Sequence, residues 1–490
     1  MSILVIDVGT SGLRAAVVRP DATIDALHYR AFVPDTPFAG LVEFDAVRMA
    51  DLVLEVARAA LDEAGPVQAV GITNQRASTI VWERSSGRPL GPALGWQDLR
   101  TVGDCMVAKA EHGLALAPNQ SATKAKWLLE TYAAGRDRSE LCIGTVDSWV
   151  AWTLSGESRL HVTDHSNAAV TGLATMHEGV PHWNPRAMSA MGIDPVMLPT
   201  IVSTSGEIGR AHALPGAPMI TSLVGDQQGS LMGQSCVQPG MAKCTFGTGG
   251  MLDLVTGQHA PASPERTTHG TFPIVAWSID DSLTWGAESI MLSAGSCVEW
   301  LRDDMGLIDS AEESHVIASS VTSSDDVYFV PALLGMATPQ WDYGARGALL
   351  GLTRGSTRAH VVRAVLEGVA HRGADLLDAA LADHPSLDVD ELRIDGGMSR
   401  NPTFVAALAT AVGRPVAVSP VTEATTLGAA FLAGLAVGTW ASLDDVAASW
   451  RPRAVIEPDP GVERSEIRAR WAEAVTRSTG WIPALSALDF

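Results

Sequence analysis

Twice in this chain an apolar strand runs into a Gly-Thr turn and straight out into a second apolar strand. The first instance reads Ile3 to Ile6, then Asp7-Val8-Gly9-Thr10-Ser11-Gly12, then Ala15 to Val18. The second reads Met241 to Thr245, then Phe246-Gly247-Thr248-Gly249-Gly250, then Met251 to Val255. Strand, turn and strand make a β-hairpin, so neither turn opens a helix. A Walker-type phosphate loop, which needs Gly-Lys-Ser/Thr at a helix start, is thereby excluded. Turns of Gly, Thr and Ser still present backbone N–H groups and hydroxyls to an anion. Arg14 adds a permanent cation beside the first. Two such devices far apart in one chain predict a duplicated domain, each half offering one phosphate-binding turn.

Between the two hairpins stands Leu223-Val224-Gly225-Asp226-Gln227-Gln228-Gly229, which follows an apolar run bounded by Pro218 and leads into a helical pattern ending near Gln234. A carboxylate at the mouth of a strand, followed by two amides, can take a proton and orient a hydroxyl. The plainer alternative is an Asp that caps the following helix. The surrounding Gly-Thr turns favour the chemical role.

Upstream, Val67 to Ile72 reads as a buried strand feeding Thr73-Asn74-Gln75-Arg76, and Ala77 to Trp82 as another. Trp96-Gln97-Asp98 and Arg100 follow. Amides and Arg bond hydroxyls while Trp covers a carbon face, which suits a small hydroxylated ligand. With 14 tryptophans in the chain, a core role for Trp96 is the alternative. Helical patterns cover Arg48 to Ala64 and Ala122 to Tyr132. A late strand, Leu392 to Ile394, ends in Asp395-Gly396-Gly397-Met398-Ser399-Arg400-Asn401-Pro402. Asn401 fits a helix N-cap with Pro402 at the first helical position. The paired glycines let something flat or bulky approach the backbone, or else make only a tight connection.

At 490 residues the chain has room for two or three domains. A net charge of −21 argues against a nucleic-acid surface. Five scattered cysteines without a C-x-x-C read as reduced thiols of a cytoplasmic protein. No signal peptide is visible. The uncharged stretch from Thr425 is rich in Ala and Gly and reads as a packed interior helix, not a membrane span. His161, Asp164 and His165 have a metal-like spacing, but no converging ligand set supports a metal site there.

Taken together, the motifs resemble those of the FGGY carbohydrate kinases, within the actin-like ATPase superfamily, and most of all its members that act on glycerol. The resemblance runs through DVGTSGLRAAVV from Asp7, GITNQR from Gly71, GWQDLRT from Gly95 and SATKAKWLL from Ser121. It continues in HVTDHSNA from His161, GDQQGSLMGQ from Gly225 and GMAKCTFGTGG from Gly240. VPALLGMATPQWDYGARGALLGLTRG from Val330 and LRIDGGMSRNP from Leu392 complete it. It implies an α/β fold of two actin-like (ribonuclease H-like) domains, residues 1–238 and 239–490, with a nucleotide cleft between them. ATP and Mg²⁺ are the implied cofactors, and a small polyol or sugar the implied substrate. Thr10, Ser11, Gly12 and Arg14 would line one phosphate turn, Thr248 and Gly249 the other. Gly295 and Glu299 match positions near the nucleotide, and Gly397 with Asn401 the adenosine-side turn. Asp226 matches the catalytic base, and Asp7, with Asp226, the metal side. Arg76, Trp96, Asn119 and Gln227 match the substrate pocket. Neither nucleic acid nor membrane is an expected partner; further copies of the chain, in a dimer or tetramer, are.

Some positions depart from the glycerol-type pattern. Ala77 stands where Glu is usual after the pocket Arg, Asn119 where Tyr is usual, and Met251 where an aromatic is usual. Gly12 replaces a Ser in the first turn. The phosphoryl-transfer residues are retained while the substrate shell is rewritten, which predicts a longer polyol or a ketose such as a pentulose as the alternative to glycerol. A nucleotide-binding regulator without turnover is a further alternative, opposed by the retained Asp7 and Asp226.

Overall fold

A computed structural model describes residues 2–177 and 179–488. Thirteen strands form one continuous sheet. In chain order they are β1 (Ile3–Val8), β2 (Gly12–Val18), β3 (Ile24–Ala31), β4 (Ala69–Asn74), β5 (Ser205–Arg210), β6 (Met219–Gly225) and β7 (Ala242–Phe246). The rest are β8 (Gly250–Gly257), β9 (Phe272–Ile279), β10 (Ser282–Met291), β11 (Leu392–Asp395), β12 (Val416–Val418) and β13 (Ala454–Ile456). Across the sheet the order is β13-β12-β11-β7-β8-β10-β9-β5-β6-β4-β1-β2-β3.

This order contains the same five-strand pattern twice. In the first half β6 and β4 run parallel, β4 and β1 parallel, and β1-β2-β3 antiparallel. In the second half β12 and β11 run parallel, β11 and β7 parallel, and β7-β8-β10 antiparallel. Both Gly-Thr hairpins therefore occupy the equivalent place, as a duplication requires. The two halves of the sheet meet at β5 and β9, where the ladder consists of Ser205 opposite Ile279.

Every residue of β1 and β4 is buried, which explains why both read as apolar runs up to Ile6 and Ile72, with polar residues only at their ends. Helix α1 (Ala46–Ala64) begins where Asp45 accepts the N–H groups of Val47 and Arg48, and stops at Gly65 with φ +83°. It packs against β2 and β3. Helix α2 (Asp226–Gly233) follows β6 directly, helix α3 (Arg358–Asp383) covers β10, and helix α4 (Pro402–Val412) follows β11. Asn401 caps α4 by accepting the Phe404 N–H at 3.2 Å, with Pro402 leading the helix.

Helix α5 (Ala424–Ala436) belongs to the second half of the chain but packs on β1, β4 and β6 of the first, and against α2. The two helices touch backbone to backbone. A Cβ on Gly428 would overlap the Gly229 carbonyl, and one on Gly233 would overlap the Ala424 carbonyl.

Two predicted elements differ in extent. The strand expected from Ala77 begins only at Ile80, because Ala77 takes a left-handed φ of +60°. The helix expected from Thr425 to Leu443 ends at Ala436, and a separate helix starts at Leu443. Among the described residues no helix is long and apolar enough to cross a membrane.

Candidate active site

Parallel strands β1, β4 and β6 finish level with one another, with Val8 opposite Asn74 and Asn74 opposite Gly225. The residues near these ends, Asp7, Gln75, Arg76 and Asp226, therefore share one edge of the sheet. Asp7 lies opposite Arg14 in the β1–β2 register, and their carboxylate and guanidinium Nε stand 3.6 Å apart. Arg14 also forms an ion pair with Glu423, at the start of α5. Trp96 is half-buried, and its indole N–H donates to Thr10 Oγ1 at 3.0 Å. That bond ties Trp96 to the first Gly-Thr turn.

Arg76 joins three groups at this edge. Its Nε lies 3.6 Å from Asp226 Oδ1, its Nη2 donates to Glu288 Oε2 at 2.6 Å, and Met251 Sδ sits 3.9 Å from the same Nη2. Gly225 makes room for it: a Cβ there would stand 2.7 Å from Arg76 Cδ. Gln227 accepts from Lys243 Nζ at 2.8 Å, and Lys243 in turn pairs with Asp253 at 2.7 Å, both fully buried. Burial pushes the Asp226 carboxyl above the usual carboxylate range, with Arg76 and the Gln227 N–H pulling the other way. Asp7 is raised to about 6, by burial above all and by the Asp226 charge as well, with Arg14 opposing. Asp7 thus lies within electrostatic reach of Asp226, whose charge disfavours ionisation of Asp7.

The second turn is built against the start of a short helix, Gly295–Glu299. Gly295 N–H donates to Gly247 O and Ala294 N–H to Thr248 O, both at 2.8 Å. A Cβ on Gly295 would stand 2.6 Å from the Gly247 carbonyl, so that residue has to be glycine. Gly396, at φ +85°, packs under Phe246, while a Cβ on Gly397 would meet nothing within 4 Å. Gly397 therefore faces open space, the side from which a ligand can approach. Thr248 and Ser11 are exposed at their turns.

Of the predicted residues, Asp7, Thr10, Arg14, Arg76, Trp96, Asp226 and Gln227 converge through these contacts. Asn119 stands exposed, and its link to the site is its carbonyl, which with Gly95 O accepts from the buried Lys124 Nζ at 3.0 and 3.1 Å. Asn401 has its amide engaged by Ser314 as well as by the α4 cap, and Glu299 is exposed at the end of its helix. Gly12 has a local explanation: Tyr29 fills the space beside it, and its hydroxyl lies 3.4 Å from Ser11 O. The spaced trio is used structurally. His161 bonds Ile143 O, Asp164 caps the helix His165–Ala169, and His165 bonds Ser278.

Sequence reasoning missed Lys243, Asp253, Glu288 and Glu423. The first three carried a signal, each being a charge inside an otherwise apolar strand, which a sheet buried on both faces tolerates only when the charge is paired.

Two family models cover most of the chain. The N-terminal domain of the FGGY family of carbohydrate kinases matches residues 2–233, and its C-terminal domain matches residues 242–437. The chain belongs to this family. It is therefore a carbohydrate kinase, a phosphotransferase with an alcohol acceptor. It is 40% identical to a glycerol kinase of Trichlorobacter lovleyi over 498 residues, covering 98% of this chain and 99% of that one. A glycerol kinase of Dechloromonas aromatica is 41% identical over 501 residues, covering 98% of each. Among solved structures, Plasmodium falciparum glycerol kinase with ADP superposes with a TM-score of 0.89 at 29% identity, over 97% of this chain and 98% of that one. The ligand-bound xylulose kinase of Lactobacillus acidophilus shares the fold, with a TM-score of 0.85 at 19% identity over 99% and 98% of the two chains.

Proposed function

We propose that this kinase transfers the γ-phosphoryl group of ATP to a hydroxyl of glycerol or a closely related polyol, with Asp226 as general base. The observation that carries this is the Asp226 carboxylate at the level strand ends, 3.6 Å from the largely buried Arg76 and on the same sheet edge as Asp7. A hydroxyl is a poor nucleophile, and a carboxylate beside it accepts its proton as the bond to phosphorus forms. The rest of the work is positioning and charge neutralisation. Arg76 and Gln227 orient the acceptor, Trp96 covers its carbon face, and the turns at Thr10–Gly12 and Thr248–Gly249 receive the phosphates. The cleft divides residues 1–238 from 239–490, and Gly295 and Gly397 border the nucleotide side. The same reading includes a cytoplasmic setting, in keeping with five unpaired buried cysteines, and a homo-oligomer.

Mg²⁺ fits the acidic side of this site. Asp7 is a buried carboxylate whose proton affinity is raised further by the Asp226 charge, a penalty that a divalent cation relieves. Among the described residues no group of three or more His, Cys, Asp or Glu side chains could hold a metal alone. That is the usual situation for Mg²⁺, which takes one or two carboxylates and completes its shell with water and phosphate. Bound there, it would neutralise charge on the nucleotide phosphates.

Acceptor-dependent ADP release across glycerol, tetritols, pentitols and pentuloses tests the assignment. Glycerol is expected to support turnover, and an absence of acceptor dependence across the whole panel would remove the kinase reading. Ala77, Asn119 and Met251 favour a second reading within the same chemistry. A charge-assisted bond lost at Ala77 costs about 1.5–3 kcal/mol, or roughly 10–150-fold in glycerol affinity. On that reading a four- or five-carbon acceptor gives the highest kcat/KM. A wide margin in favour of glycerol would discard it.

Arg14 tests the nucleotide side. Arg14→Ala removes charge-assisted bonds worth about 1.5–3 kcal/mol, and the loss should be larger for a non-hydrolysable ATP analogue than for ADP. Isothermal titration reads both. Equal and unchanged affinities would leave Arg14 as the partner of Glu423 and Asp7 alone.

A further inference from the structure

Three charged residues stand side by side on one face of the second half of the sheet. Lys243 is opposite Asp253 in the β7–β8 register, and Asp253 is opposite Glu288 in the β8–β10 register. Directly opposed residues of antiparallel strands share a face. Each carboxylate in this row reaches a group at the acceptor end of the other half. Asp253 holds Lys243, which holds Gln227, and Glu288 holds Arg76 directly at 2.6 Å.

We infer that Glu288 is a positioning residue for the acceptor, fixing one edge of the Arg76 guanidinium so that another edge is free for a substrate oxygen. This rests on the acceptor site proposed above. A guanidinium carries five N–H donors in a rigid plane. At Arg76, Nη2 is taken by Glu288 and Nε faces Asp226, while Nη1 is buried without a hydrogen-bond partner among the described residues. A buried donor left unpaired is costly, and a ligand oxygen removes that cost. The plane cannot rotate to satisfy Nη1 on Asp226 without giving up Glu288. Glu288 is only 5% exposed, so little water competes for the pair.

The arrangement also keeps the base available. With Glu288 gone, the largest pull on Arg76 away from Asp226 is lost, and a closer pairing would hold the carboxylate that has to accept a proton. Glu288 thereby separates two demands on Arg76, recognition of the acceptor and contact with the base. It also supplies a carboxylate to the pocket whose usual Glu is replaced by Ala77. The ligand class that this geometry selects is one bearing a hydrogen-bond-accepting hydroxyl or carbonyl oxygen next to the hydroxyl that reacts.

The experiment compares the full-length protein with Glu288→Gln and Glu288→Asp. It measures kcat and KM for ATP and for glycerol, and for the two propanediols that each lack one glycerol hydroxyl. For E288Q the glycerol KM should rise about 10-fold or more, the scale of one charge-assisted bond, with the ATP KM within about 2-fold. The preference for glycerol over the propanediol lacking the recognised hydroxyl should shrink by a similar factor, and E288D should fall in between. An unchanged glycerol KM with unchanged preference would overturn the inference. So would a parallel loss in every parameter matched by a lower Tm, which would mark Glu288 as structural. Should E288Q fail to fold, E288D carries the same comparison, and no shift in acceptor KM would overturn the inference there too. A parent enzyme without acceptor-dependent ADP release would instead overturn the proposed function, and this inference with it.

Discussion

Asp226→Asn is expected to lower kcat by about 10²–10⁴-fold, the scale of a lost general base, with ATP affinity nearly unchanged. Asn keeps the shape and can still face Arg76, but it cannot accept the proton of the attacking hydroxyl. ADP release at saturating acceptor measures the loss, and turnover within a few fold of the parent would remove Asp226 from the mechanism. The pH dependence supplies a second signature. Burial holds the Asp226 carboxyl above its ordinary range, and a base works only when deprotonated. Parent activity should therefore fall as pH drops through that raised value, and the residual activity of the Asn variant should lose this limb. Stability should move the opposite way. A carboxyl whose folded pKa is raised contributes stability below its unfolded pKa and loses it as pH rises through the folded one. At neutral pH the parent carries the cost of a charge partly withdrawn from water, so the Asn variant should melt no lower than the parent.

Gly428→Val should damage stability and activity together. The new side chain would have to enter the space filled by the Gly229 carbonyl, in backbone that cannot rotate away as a side chain would. Overpacking of this kind costs about 3 kcal/mol or more at its upper end, which lowers Tm by roughly 6–12 °C for domains of this size. Because α2 begins with Asp226, pushing α2 from α5 also moves Asp226, the proposed base, and kcat should fall by more than the loss of folded protein explains. Gly397→Ala is the control for stability, since its Cβ meets nothing within 4 Å. Equal melting temperatures for the two variants would mean that the helix crossing relaxes freely.

The two glycines look alike in the sequence, and nothing there tells which of them a second backbone approaches. The hairpins, by contrast, were readable. A strand covered on both faces has to be written as a continuous apolar run such as Ile3 to Ile6, and its Gly-Thr exit is conspicuous. The start of α4 was readable from Asn401-Pro402 because capping is local. Ala77 hid its left-handed backbone, since that conformation is announced only by Gly or Asn. Glu288 and Arg76, separated by 212 positions, acquire their meaning from each other. A charge in an apolar strand announces that a partner exists without naming it.

The sheet's two halves share a single ladder position, Ser205 opposite Ile279, whereas α2 and α5 meet backbone to backbone. The narrow seam of the sheet, supported by the Thr204–Ser278 bonds, and the tight helix crossing thus lie in different layers of the molecule. A torque applied across the cleft would be absorbed by twisting at the ladder, with the helix crossing as the fulcrum. The acceptor-side end of α2 sits close to that fulcrum, where displacement is least, while the outer ends of both sheet halves sweep the longest arcs.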